Sequence, residues 1–169
     1  HRVIVFDAKT GAFKRMWGAY GNGPSDDKMP AYRPDAKPSE QFANPVHCVR
    51  LANDGLVYVC DRANDRIQVF RKDGNFVKEF RVTPETLANG SVWDLVLSED
   101  AGQKFIFMAD GANGQIGTLV RDTGEVITQW GTRGRQPGRL KWVHNIDIVS
   151  RRHLYTHRPA WCRRARESR

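Results

Sequence analysis

Apolar and polar side chains alternate in short runs along this chain, and the runs are broken by clusters of Asn, Asp and Gly. Residues 46–70 read VHCVRLANDGLVYVCDRANDRIQVF. Alternation with a period of two, in segments rich in Val, Ile, Phe and Tyr, predicts half-buried strands. Residues 92–120, VWDLVLSEDAGQKFIFMADGANGQIGTLV, follow the same course. Each segment holds a strand, a polar turn, a second strand ending in Asp, a turn with Asn three residues on, and a third strand opening on Ile. The turns Asn53-Asp54-Gly55 and Lys72-Asp73-Gly74 suit hairpins, since Gly accepts positive φ and Asp or Asn bonds the local backbone. No stretch offers a helical stripe of useful length.

The correspondence holds position by position. Asp61, Asn64 and Ile67 recur as Asp110, Asn113 and Ile116. Val46, His47, Val49 and Leu51 recur as Val92, Trp93, Leu95 and Leu97, and again as Val143, His144, Ile146 and Ile148. Downstream, RKDGNFVKEF (71–80) matches RDTGEVITQW (121–130), and FDAKTGAFKRMW (6–17) is an earlier copy. One unit is therefore four short antiparallel strands, repeated without helices. That is the pattern of an all-β propeller built from four-stranded blades.

The motif F-x-x-P-x-x-V…D-G-x-x-Y-V-x-D-x-x-N-x-R-I-x-V-F…D-G resembles the NHL repeat. It is carried by Phe42, Pro45, Val49, Asp54, Gly55, Tyr58, Val59, Asp61, Asn64, Arg66, Ile67, Val69, Phe70, Asp73 and Gly74. The blade at 91–131 departs from it: Gln115 replaces the Arg, and Ser91-Val92 stand where Asn-Pro would be. The resemblance implies a six-bladed ring. Such a ring needs roughly 240–280 residues at about 40–45 per blade, whereas this chain has 169. The expected organisation is the second half of a blade at 1–17, a long top-face insertion at 18–40 and an NHL blade at 41–80. A connecting loop at 81–90, an NHL-like blade at 91–131 and the loop and start of a further blade at 132–156 follow. The favoured reading is a partial ring of about three to three and a half blades. The alternative is a small protein that closes its ring by self-association, because an open arc exposes blade faces and strand edges.

Residues 157–169 leave the repeat pattern. Residues 151–169 hold seven Arg and one Glu, a net +6 of the chain's +8, so the blades carry only +2. The favoured account is an altered reading frame or assembly; a solvated tail and a basic arm are the alternatives. With so little charge on the blades, nucleic acid is not the expected partner. No apolar run approaches the ~18–20 residues of a membrane span.

Chemistry concentrates in few places. The insertion Gly18–Glu40 is broken by Gly and Pro throughout, and loops of this length are disproportionately functional or disordered. There Asp26, Asp27 and Asp35 could meet a cation such as calcium, and Tyr20 and Tyr32 could stack on a ligand. His47 and His144 hold equivalent places at the start of the innermost strand, which aims both imidazoles at one axis. Convergent His is how a propeller can build a metal site; Trp93, Asp94 and Asn145 lie beside them at the channel mouth. Among proteins similar to the NHL family, the peptidyl-hydroxyglycine amidating lyase holds zinc by His from different blades and cleaves an N–C bond. That resemblance implies a metal-ligand role for His47 and His144, although Trp93 stands where the middle blade would supply a third His. The favoured function is a scaffold binding a protein, peptide or small ligand through its top-face loops; the alternative is such a zinc lyase. The resemblance also implies a location outside the cytoplasm. Cys48 and Cys60 read as small buried hydrophobes, with a bridge conceivable because their strands are neighbours.

Overall fold

A computed structural model describes residues 1–150 and 153–157. The basic segment 158–169, with Cys162, lies outside the described residues. The strands are β1 (Val3–Phe6), β2 (Phe13–Trp17), β3 (Cys48–Leu51), β4 (Val57–Asp61), β5 (Arg66–Phe70), β6 (Phe76–Arg81), β7 (Val92–Leu97), β8 (Phe105–Asp110), β9 (Gln115–Val120), β10 (Val126–Trp130), β11 (Asn145–Ser150) and β12 (His153–His157). They form two complete antiparallel sheets in the orders β3-β4-β5-β6 and β7-β8-β9-β10, flanked by the pairs β1-β2 and β11-β12. The innermost strands β3, β7 and β11 are neighbours across blades. This is a β-propeller arc of two whole blades between two half-blades.

Each blade buries both faces, and β4 shows how. All five residues of VYVCD are buried, yet they serve two different cores. Val57 and Val59 pack with Val3, Trp17, Phe42 and Phe70 against the preceding half-blade. Tyr58 and Cys60 pack with Ile67, Val69, Leu95, Ile106 and Met108 against the following blade. Alternating side chains of one central strand thus feed successive interblade cores. A third core, Ala109, Ile116, Val143 and Ile146, joins the blade at β7–β10 to β11. Fully burying each large aliphatic or aromatic side chain contributes about 1.5–3 kcal/mol, so the layers hold one another in place.

The recurring Asp-x-x-Asn turn does structural work. Asn64 Nδ2 donates to Asp61 (2.9 Å) and Asn113 Nδ2 to Asp110 (2.8 Å), closing the turn between second and third strands in both blades. The insertion is irregular except for one 3-10 turn at Ala19–Gly21. One expectation changes. Cys48 and Cys60 are not separate small hydrophobes: they sit directly opposite in the β3–β4 register, 4.8 Å apart at Cα, and form a disulfide. The reason is the tight turn at Asn53–Gly55, which fixes the register that puts both side chains on one face.

Candidate functional site

The inner ends of the blades converge on a compact aromatic cluster. His47 and His144 each precede an inner strand by one residue, and each is pinned by its backbone: His47 N donates to Cys60 O and His144 N to His157 O, both at 2.9 Å. Trp93, on β7 between them, is buried and donates from Nε1 to Gly90 O (2.8 Å). The imidazole centroids of His47 and His144 lie 4.8 Å apart, and each is 5.3–5.4 Å from the Trp93 ring. Trp142 packs edge-on to Trp93 at 5.1 Å. The two histidines therefore do face a shared place, across a blade that contributes indole instead of imidazole.

Hydrogen bonds orient both rings. His47 Nδ1 donates to Trp93 O, and His144 Nδ1 meets Asn145 Oδ1 at 3.1 Å. Since both partners are oxygen acceptors, each neutral ring keeps its proton on Nδ1 and leaves Nε2 as the acceptor nitrogen. Burial pushes the His47 pKa below its ordinary value, against the opposing pull of the Trp93 carbonyl. Its neutral, ligating form is thus favoured at neutral pH.

Arg62, which the sequence did not single out, completes the cluster. Its guanidinium lies 4.5 Å above the Trp93 ring, and burial lowers its pKa. Trp93 also meets Gly111, where a Cβ would overlap the indole. Arg62 and Gly111 are equivalent positions in successive repeats, and an Arg replacing a Gly was the available signal.

Asp94 serves geometry. Its carboxylate accepts both Arg50 Nη2 contacts (2.9 and 2.8 Å), Leu95 N (2.9 Å), Ile146 N (3.2 Å) and Asn145 Nδ2 (3.4 Å). One carboxylate thereby ties β3, β7 and β11 together. With Asp94 committed, the two imidazoles are the ligating groups that remain at this mouth among the described residues. A catalytic zinc uses three protein ligands, and among the described residues no group of three or more His, Cys, Asp or Glu is placed to hold a metal ion. Among the described residues the donor set does not complete a three-ligand zinc site.

The insertion lies on the same face. Small-ligand clefts run to about 300–1,000 Å³; the cavity here, 570 Å³, is lined by Asp27, Met29, Tyr32, Asn44, Asn64 and Leu87 among others. Tyr32 donates to Pro84 O (2.8 Å), pinning the insertion to the next interblade loop. Tyr20 stands elsewhere: it accepts from Arg66 Nη1, donates to Glu79 and packs on Phe76. Of the three acidic residues, Asp26 pairs with Arg2 and the amino terminus, and Asp35 with Arg33. Asp27 accepts from Ser25.

Residues 46–70 match the NHL repeat, and no curated protein matches the chain. Among solved structures, one described as streptogramin B lyase is 15% identical, with a TM-score of 0.58 over 92% of this chain and 40% of that one. A catalytically inactive histidine-to-alanine variant of virginiamycin B lyase from Staphylococcus aureus, with quinupristin, is 17% identical, with a TM-score of 0.52 over 90% and 47%. The chain spans less than half the length of either. Likeness at these identities is a likeness of fold.

Proposed function

Because the chain is a β-propeller arc carrying an NHL repeat, we propose that it is a binding scaffold that takes a small ligand or peptide on its top face. The observation that carries this reading is the 570 Å³ cavity between the insertion and the turns of the next blade. Tyr32 and Leu87 offer apolar contact there, and Asn44 offers directional hydrogen bonds. The rigid blades hold these groups while the loops vary, as in other propeller-type scaffolds. The test is binding of a peptide library to the chain and to Tyr32→Ala. Ligands captured by the parent and lost by the variant support the reading; a library with no ligand for the parent sinks it.

A second reading, a metal-dependent lyase, draws on the paired imidazoles with free Nε2 atoms. Elemental analysis separates the two. Stoichiometric zinc in the purified chain, lost in a His47→Ala, His144→Ala double variant, favours the lyase. Absence of zinc from the metal-supplemented parent favours the scaffold.

A further inference from the structure

The repeat is broken at one turn between the two complete blades. In the first blade, residues 53–55 join Ala52 to Leu56; in the second, residues 99–104 join the equivalent Ser98 to Phe105. The longer turn reaches over to the preceding blade. Gln103 Oε1 accepts from Asn53 N (2.7 Å), and Gly102 O accepts from Arg121 Nη1 (3.1 Å). Between the two blades at this turn lies a cavity of about 410 Å³, within the range of small-ligand clefts. Antiparallel strands reverse direction at each turn, so this one lies at the end of the blades opposite the insertion. The cavity is therefore separate from the one beside Tyr32.

Its lining combines apolar walls with a charge excess. Leu56, Tyr58, Phe105 and Val120 supply the walls. Three cations, Lys78, Lys104 and Arg121, meet two carboxylates, Asp54 and Asp122. Both carboxylates are already paired, Asp54 with Arg121 and Asp122 with Lys78. Arg121 is fixed further by the Tyr58 hydroxyl, which accepts from its Nε at 2.8 Å. Three positive charges against two negative leave +1, and Lys104 carries it. Its ammonium enters no ion pair or hydrogen bond among the described residues. Asp100, in the same turn, commits its carboxylate to Ser98 Oγ and to the Gly102 and Lys104 amides.

We propose that this cavity binds a small amphipathic monocarboxylate, an acid carrying an aryl or short alkyl body. The body lies among Leu56, Tyr58, Phe105 and Val120, and the carboxylate accepts from Lys104 Nζ. A single surplus cation suits a monoanion. A second negative charge, as on a phosphate or dicarboxylate, would have to break the Lys78 or Arg121 pair. The site is independent of the top-face reading, since it shares no residue with that cavity.

Hydrocinnamate and its neutral analogue hydrocinnamide are the probes, titrated into the isotope-labelled chain and followed by amide shifts in NMR. Hydrocinnamate gives saturable shifts centred on Gly102, Phe105 and Arg121. Hydrocinnamide binds about tenfold more weakly, for want of one charge-assisted hydrogen bond. Lys104→Gln lowers binding of the acid to the level of the amide and leaves amide binding unchanged. Lys104 is exposed, so the variant melts with the parent. Phe105→Ala weakens both probes. Absence of saturable shifts with the acid overturns the proposal. So do equal affinities for acid and amide, shifts centred on the insertion, or acid binding indifferent to Lys104→Gln.

Discussion

Asp61 and Asp110 occupy equivalent places in consecutive blades and bury their carboxylates by different means. Asp61 accepts from Arg66 Nε (2.7 Å), Asn64 and Ala43 N, while burial pushes its pKa up against that pull. In the next blade Gln115 takes the place of Arg66, and Asp110 relies on neutral donors, the Asn113 backbone and amide. Arg66→Gln therefore leaves a buried carboxylate without its cation. The expected loss is on the order of 3–5 kcal/mol, read by urea denaturation, with part recovered in an Arg66→Gln, Asp61→Asn double variant. Asp65, fully buried, accepts Ser91 N at 2.7 Å. Burial raises its pKa from 3.8 to about 7, with Asp110 adding to the rise and Ser91 opposing it. A group raised on folding holds its proton more tightly in the folded chain. The stability it carries is full below 3.8 and lost as pH climbs through about 7. Asp65→Asn removes that dependence. In thermal melts the variant should match the parent at low pH and exceed it at pH about 8, by up to about 4 kcal/mol.

At the scale of elements, the repeat made most of the fold legible. Alternation in VYVCD and its copies located the central strands, and the shared Asp-x-x-Asn turn set blade register before any coordinates. The same register placed His47 and His144 opposite each other, because equivalent positions in a propeller share an axis. Side chains that break the repeat were harder to read. Arg62 acquires its role from the neighbouring blade's Trp93, a contact that no local pattern encodes. Asp65 stands where the next blade has Gly114, both with positive φ, so its burial arises from the loop above it. The disulfide hinged on a single turn residue, below the resolution of alternation. It joins residues 12 apart, and loop closure of that size stabilises by about 2–3 kcal/mol. Thiol reductant should lower the denaturation midpoint of the parent accordingly, while a Cys48→Ala, Cys60→Ala variant starts low and does not respond.

For the whole molecule, packing and cavity lie in different layers. Three apolar cores lie between the blades, whereas the insertion and the interblade turns line the 570 Å³ cavity. The insertion is held to the following blade and the loop beyond it, by Tyr20 on the Arg66 and Glu79 pair and by Tyr32 on Pro84. Its two aromatics are therefore anchors, one remote from the cavity and one at its wall. No helix among the described residues is long and apolar enough to cross a membrane.

Asp94 gauges the angle at which three blades meet. Because Arg50, Leu95 and Ile146 all measure from one short carboxylate, the pitch of the arc is metered by a side chain with a single methylene. Lengthening that gauge by one carbon, as glutamate would, splays the inner edges, and curvature suited to one ring size no longer returns to its starting point.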